Sequence, residues 1–567
     1  MCRRSLSSRG LKSGVQGGFS AGRGWSLAAL LIALVVLAPL ASLIVAASDA
    51  DFSHWAHLAS TVIPTALTNT VVLLLGVGVL VTCLGTGAAW LVTAYDFPSR
   101  RVLTWALLLP LAVPTYIIAF AYLDLWHPIG PIQTVIRELL GYDSPRQFRL
   151  PDLRSIYGAI FVLGFVLYPY VYLSTRAMFM TQSASLLEAA RTLGAGRLAV
   201  FTRVALPLAR PAIAVGVSLA LLETLNDIGA SEFLGVQTMT VSIYSTWVTR
   251  SNLAGAAQIS LAMLVLVVAL ILLERHGRQR QRYANARGAL PLRARRLTGS
   301  AAIAAVVLGW IPVVAGFVMP ALYLVSESVK YLHLTGQVSD QLIASAVNTV
   351  AIAATATALT VAAGLTVAWA GRNLRESVRF NPMRACTRIA SLGYAVPGTV
   401  LAIGLLAPLT AVDGLLNRVT DALTGHAPGL ILMGSIGGLL IAYTLRFLAV
   451  SAGALEAGLA RIPASLEQAA RLLGETGTGT LRRVHLPLLR PALAAAALLV
   501  FVDAMKELPA TLLLRPMNFD SLATWLYAEA ARGTYEEGAI AALAIVVVGL
   551  LPVILLARTH LKIGQPV

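Results

Sequence analysis

Apolar runs of about twenty residues, several of them without a charge, repeat along this chain, and no other feature restricts its fold so tightly. They lie at 25–47, 65–94, 103–126, 156–178, 211–234 and 256–273, and again at 300–325, 342–370, 388–410, 429–450, 491–514 and 538–557. Each is long enough to cross a hydrocarbon layer about 30 Å thick as a helix. Charged residues make up only 12% of the chain, about half the share usual in a soluble domain. A soluble enzyme and a disordered chain are thereby excluded. So is an outer-membrane barrel, whose segments are about ten residues long and alternate in polarity. The expected fold is an all-α polytopic membrane protein with twelve transmembrane helices.

The formal net charge is +17, which in a soluble protein points to nucleic acid. Here the basic residues collect in alternate loops. With the N-terminus inside, the inner loops receive Arg100 and Arg101, the 181–210 segment, the Arg-rich stretch 275–298, Arg372 to Arg388, the 451–490 segment, Arg558 and Lys562. The outer loops receive few, and 127–155 is the exception, with Arg137, Arg146, Arg149 and Arg154. This is the positive-inside pattern, so no nucleic-acid partner is needed, and both termini are expected in the cytoplasm. The first run, preceded by Arg3, Arg4, Arg9, Lys12 and Arg23, is longer than the core of a cleaved signal and reads as a signal anchor. Cys2, Cys83 and Cys386 are too dispersed for a disulfide framework or a zinc site.

The chain repeats itself. Ser185 to Ile213 aligns without gaps on Ser465 to Leu493, with about half the positions identical. The register continues, placing Glu223 on Asp503, Asn226 on Lys506 and Asp227 on Glu507. Upstream, Asn69-Thr70 matches Asn348-Thr349, and Ala112-Val113-Pro114 matches Ala395-Val396-Pro397. Three parts follow: a first six-helix repeat over 1–274, a basic cytoplasmic linker over 275–298, and a second six-helix repeat over 299–567. Six spans per repeat give both halves one orientation, so they are parallel repeats about an axis along the membrane normal, with a path between them.

The best-matched segment is a loop, where packing alone does not preserve likeness. Both copies read [E/Q]-A-A-R-x-L-G and then R-V-x-L-P-L-x-R-P-A. The first carries Glu188, Ala189, Ala190, Gly194 and Pro207; the second carries Gln468, Ala469, Ala470, Gly474 and Pro487. Leu186, Leu187, Ala190 and Leu193 are spaced to make one apolar stripe on a short helix, which either glycine ends in the left-handed conformation. Pro207 and Pro487 precede the next span, and Pro211 and Pro491 suit its first turn.

This doubled motif resembles the EAA loop of the permeases of binding-protein-dependent ABC importers, type I. The resemblance implies that each loop helix docks on a cytoplasmic ABC ATPase dimer and carries its closure to the spans. It also implies a periplasmic substrate-binding protein and a place in the bacterial inner membrane. The second copy departs from the pattern, with Gln468 at its head and Glu467 one residue before. The glycine-rich segment 474–480 lacks the Lys-Ser/Thr ending of a phosphate-binding loop. The chain is therefore expected to be a transport subunit and not an enzyme, to bind no cofactor itself, and to leave ATP and Mg to its partner.

Glu223, Asn226 and Asp227, and likewise Asp503, Lys506 and Glu507, fall well inside their runs, at a spacing that puts each set on one helix face. Ionisable groups at that depth either pair or line a pathway. Lys506 offers Asp503 and Glu507 a partner, while the presence of such sets in both halves favours a translocation path. The segments 223–229 (ETLNDIG) and 503–516 (DAMKELPATLLLRP) resemble the fused two-repeat iron(III) branch of the family. Ferric iron prefers oxygen ligands, which suits Glu223, Asp227, Asp503 and Glu507 as weak contacts in passing; no resident metal site is expected. Related branches carry thiamine, polyamines, phosphonates, sulfate or molybdate. A secondary transporter would not need the doubled loop. An intramembrane enzyme would need a nucleophile with its base or a His-Glu-x-x-His zinc site, and the sequence has neither. His54, His57, His127, His333 and His426 lie in or beside outer loops.

Overall fold

The structure is a computed structural model, which describes residues 16–48, 56, 58–181, 184–278, 294–373, 382–390 and 392–563. In chain order the helices that matter here are α1 (Gln16–Ser48), α2 (Ile63–Ala94), α3 (Arg100–Ala106), α4 (Thr115–Leu125), α5 (Pro131–Leu140), α6 (Ile156–Thr181), α7 (Ala184–Thr192), α8 (Leu206–Asn226), α9 (Gly229–Phe233) and α10 (Leu253–Arg278). They are followed by α11 (Ser300–Val313), α12 (Asp340–Asn373), α13 (Gly398–Thr424), α14 (Ile436–Ala460), α15 (Ala464–Leu472), α16 (Leu486–Met505), α17 (Pro509–Leu514), α18 (Leu522–Arg532) and α19 (Tyr535–Ile563). Among the described residues, 11 helices are long and apolar enough to cross a membrane, and a bent pair makes up to 12. The chain is an all-α, multi-pass membrane protein.

The bent pair is the run expected at 103–126. It turns through 94° between Ala112 and Thr115. Val113 is extended and Pro114 follows it, because a proline drives the residue before it out of the helical region. The second half breaks at the matching Val396-Pro397, but its span runs over Gly398–Thr424 and not 388–410. A third difference lies at 300–335, where helix continues ten residues past the expected end.

Four of the long helices contain a single wide turn of π type: Leu58–Val62, Phe201–Ala205, Val314–Val318 and Leu481–His485. Each ends two residues before a proline, at Pro64, Pro207, Pro320 and Pro487. A proline has no N–H to give and its ring crowds the carbonyl four residues back. Widening the preceding turn by one residue relieves that carbonyl while the helix continues. Pro211 and Pro491 consequently lie inside α8 and α16, and not in a first turn as expected.

The helices gather into two compact units that cross the sequence order. One consists of residues 1–46 and 348–519. In it, α1 packs by Ala29 and Ala33 against Ala370 and Cys386, and Trp25 donates to Thr478 Oγ1 at 3.2 Å. A Cβ on Gly404 would lie 3.0 Å from the Pro39 carbonyl carbon, so α1 and α13 meet backbone to backbone. The other unit consists of residues 47–347 and 520–567. Here α2 and α8 both lie on α6. A Cβ on Gly85 would come within 2.6 Å of Val171 Cβ, and one on Gly216 within 2.6 Å of Val171 Cα. Small residues at such crossings let helices approach closely where lipid offers no hydrophobic drive.

Candidate functional site: two loop helices and two broken spans

The duplicated loop folds twice in the same way. α7 and α15 are each nine residues long and end on a glycine with φ +85°. In the first, Gly194 N donates to Arg191 O at 3.0 Å and Ala195 N to Ala190 O at 3.0 Å; in the second, Gly474 N donates to Arg471 O and Glu475 N to Ala470 O, both at 3.0 Å. The six-to-one bond and the left-handed glycine define a Schellman ending, which satisfies carbonyls that a helix end leaves open. Nothing lies within 4 Å of the position a Cβ would take on either glycine.

Beside each glycine the surface is apolar. Leu193 is 87% exposed, and Leu472 and Leu473 are 89% and 85% exposed. Glu188, Ala189, Gln468 and Ala469 are exposed, Ala190 is half-buried, and Ala470 is buried. The side chains of Leu186 and Leu187 lie outside the described residues. Pro207 and Pro487 stand in the first turn of α8 and α16.

The sets expected on one helix face are divided by a break. α8 ends at Asn226 and α16 at Met505, so Asp227, Lys506 and Glu507 lie beyond the helix ends. The apolar run hides this, because a short second helix begins at once, α9 in one half and α17 in the other. Asp227 is 7% exposed and its oxygens are engaged. Oδ2 accepts from Ser231 N at 2.8 Å and Ser231 Oγ at 2.9 Å; Oδ1 accepts from Thr115 Oγ1 at 2.6 Å and Ala230 N at 3.4 Å. The carboxylate thus satisfies the open N–H groups of α9.

Glu507 does the same for α17 with different surroundings. Its Oε1 accepts from Ala510 N at 3.1 Å, and its Oε2 lies 2.8 Å from Arg446 Nε. The matched Ala-Val-Pro segments align Thr115 with Gly398. Thr115 reaches Asp227 by its own hydroxyl, whereas at Gly398 a Cβ would lie 3.0 Å from the guanidinium carbon of Arg446. The missing side chain leaves the space in which Arg446 meets the longer acid. Arg446 was not among the expected site residues. A lone arginine within the apolar run 429–450 was the available signal.

Glu223 and Asp503, by contrast, are half-buried within the last turns of α8 and α16. Lys506 Nζ pairs with Asp503 Oδ1 at 2.9 Å. Asn226 is 7% exposed. Among the described residues no group of three or more His, Cys, Asp or Glu is placed to hold a metal ion.

The comparisons follow the repeat. The family described as binding-protein-dependent transport system inner membrane component matches residues 81–283 and again 360–562. The Fe(3+)-transport system permease protein FbpB 2 of Haemophilus influenzae is 25% identical, over 88% of this chain and 90% of its own length. A probable molybdenum ABC transporter permease protein of Haloferax volcanii is 27% identical, over 44% of this chain and 87% of its own length. The sulfate transport system permease protein CysT of Salmonella typhimurium is 27% identical, over 38% of this chain and 75% of its own length. The last two correspond in extent to a single repeat.

Proposed function

Because the chain belongs to the binding-protein-dependent transport inner-membrane family and serves as an ABC transporter permease, we propose that it moves ferric iron from a periplasmic binding protein to the cytoplasm by alternating access. The supporting observation is likeness along nearly the whole fused chain to an Fe(3+) permease, whereas the molybdenum and sulfate relatives match about one repeat. In this reading α7 and α15 dock on the two subunits of an ATPase, which binds ATP and Mg and does the hydrolysis. Their exposed leucines fit an apolar groove on that partner. The termini and both loop helices face the cytoplasm of the bacterial inner membrane.

The path is carried by Glu223 and Asp503, half-buried acids in equivalent turns, with Lys506 holding Asp503 in place. A hard trivalent cation prefers such oxygens, and two weak contacts serve passage better than a closed cage. Asp227 and Glu507 are assigned to holding the broken spans, and Asn226 stays with the path. The chain with its ATPase and binding protein, reconstituted in liposomes, is expected to accumulate radioactive iron on ATP addition. Glu223→Ala and Asp503→Ala are expected to lower that uptake about tenfold, with assembly kept. Uptake of molybdate or sulfate in place of iron refutes the ferric assignment and leaves the permease role standing.

A further inference from the structure

We infer that Arg372, Glu467 and His485 form a rigid joint that ties the second loop helix to its spans, and that the aligned positions of the first half carry no ionisable counterpart of it. The inference rests on the reading that the loop helices receive the ATPase. Arg372 stands in the last turn of α12. Its guanidinium donates to Glu467 Oε1, to the carbonyl of Leu459, and to the carbonyl of Ile462 at 2.8 Å. Those two carbonyls belong to the C-terminal end of α14, where open acceptors and the helix dipole favour a cation. Glu467 lies in the first turn of α15, the end that favours an anion. His485 Nε2 lies 3.2 Å from the same Glu467 oxygen, and its ring sits 4.9 Å from that of Trp369.

The group is enclosed. The side chains of Arg372 and Glu467 are 12% and 14% exposed, and His485 is 0% exposed. Trp369, against which the His485 ring rests, belongs to a buried cluster with Leu455, Leu459, Ile462, Leu481 and Leu489. A charged network withdrawn from water has few alternative arrangements, because each partner that leaves abandons a buried charge. Four elements therefore meet around the Arg372–Glu467 pair: α12 and α15 supply it, the end of α14 takes the rest of the guanidinium, and the wide turn that leads into α16 brings His485 beside the carboxylate.

The aligned positions in the first half are Thr93, Leu187 and Ala205, none of them ionisable. Thr93 Oγ1 bonds within its own helix, to Ala89 O at 2.7 Å. Trp90, the counterpart of Trp369, packs on Phe179 and Phe201 at centroid distances of 5.3 and 5.2 Å. A displacement of α15 is thus passed to α12 and α14 through directed bonds, with the buried His485 packed beside them at the wide turn before α16. Glu467 is a positioning residue turned inward. The motif's own head in this copy is the exposed Gln468.

The test uses the complete importer, permease with ATPase and binding protein, in lipid nanodiscs and liposomes. Two quantities are read: ATPase retained on purification, and substrate moved per ATP hydrolysed. Glu467→Gln is expected to keep the ATPase bound and hydrolysing within about twofold of wild type, while transport per ATP falls about tenfold. Thr93→Val, at the aligned place in the first half, is expected to leave the ratio unchanged. If the Gln variant does not accumulate, Glu467→Asp keeps the charge and shortens its reach, and is also expected to lower the ratio. An unchanged ratio in the Gln variant, or in the Asp variant where that one is used, overturns the joint. Failure of the ATPase to co-purify with the wild-type chain refutes the docking reading first, and the joint with it.

Discussion

Replacing Asp227 with alanine separates two roles for a carboxylate inside a transporter. In the structure this side chain accepts from the backbone N–H groups of Ala230 and Ser231 and from the hydroxyls of Ser231 and Thr115. The hydroxyls can turn to other acceptors, but the two N–H groups at the buried start of α9 cannot. A buried donor left without a partner costs about 1–3 kcal/mol, so losing the acceptor of two should destabilise the unit by about 2–6 kcal/mol. That corresponds to a fall in melting temperature of roughly 3–8 °C for a unit of this size. Asp227→Asn should lose about half as much, since its remaining oxygen still accepts from one backbone N–H while its amide sets an N–H against the other. The assay is a thermal melt in detergent, with amide exchange over residues 229–233 to place the damage. If both variants melt like wild type and yet fail to transport, the carboxylate meets the substrate and its holding of the half-helix is incidental.

Two further outcomes are expected. Gly194→Trp and Gly474→Trp meet nothing within 4 Å of their Cβ positions, and the left-handed backbone adds only about 1–2 kcal/mol of local strain; the chain should accumulate normally while uptake falls about tenfold, and unchanged uptake by both refutes the docking role. Single thiols at Leu193→Cys and Leu473→Cys, in a chain with Cys2, Cys83 and Cys386 replaced, should react with an impermeant maleimide in inverted vesicles and not in intact cells; the reverse pattern refutes the proposed orientation.

The spans were legible because apolar length is a one-dimensional property. Those at 63–94, 156–181, 253–278 and 340–373 lie close to where their runs predict. The loop helices were legible because motif, periodicity and glycine agree. The breaks at Asn226 and Met505 were not, since a run stays apolar whether the helix continues or restarts, and only the side chains that cap the restart betray it. The partners of Glu507 and Glu467 were equally hidden. Arg446 and Arg372 lie 61 and 95 positions away in sequence, and nothing local announces either pairing. The basic excess of the 127–155 loop has a structural answer for one of its arginines. Arg137 is 5% exposed and gives its guanidinium to Pro128 O at 2.6 Å and Thr134 Oγ1 at 3.0 Å.

The crossed composition of the compact units bears on how such a protein is made. A gene cut between codons 279 and 293 would encode two polypeptides, and neither would contain a complete unit. The N-terminal product would lack the helices within 300–347 and 520–563 that finish its own fold, and the C-terminal product would lack α1. The pieces of a split chain must therefore be synthesised together and exchange segments as they assemble. Fusion into one polypeptide guarantees that every ribosome delivers both in equal number.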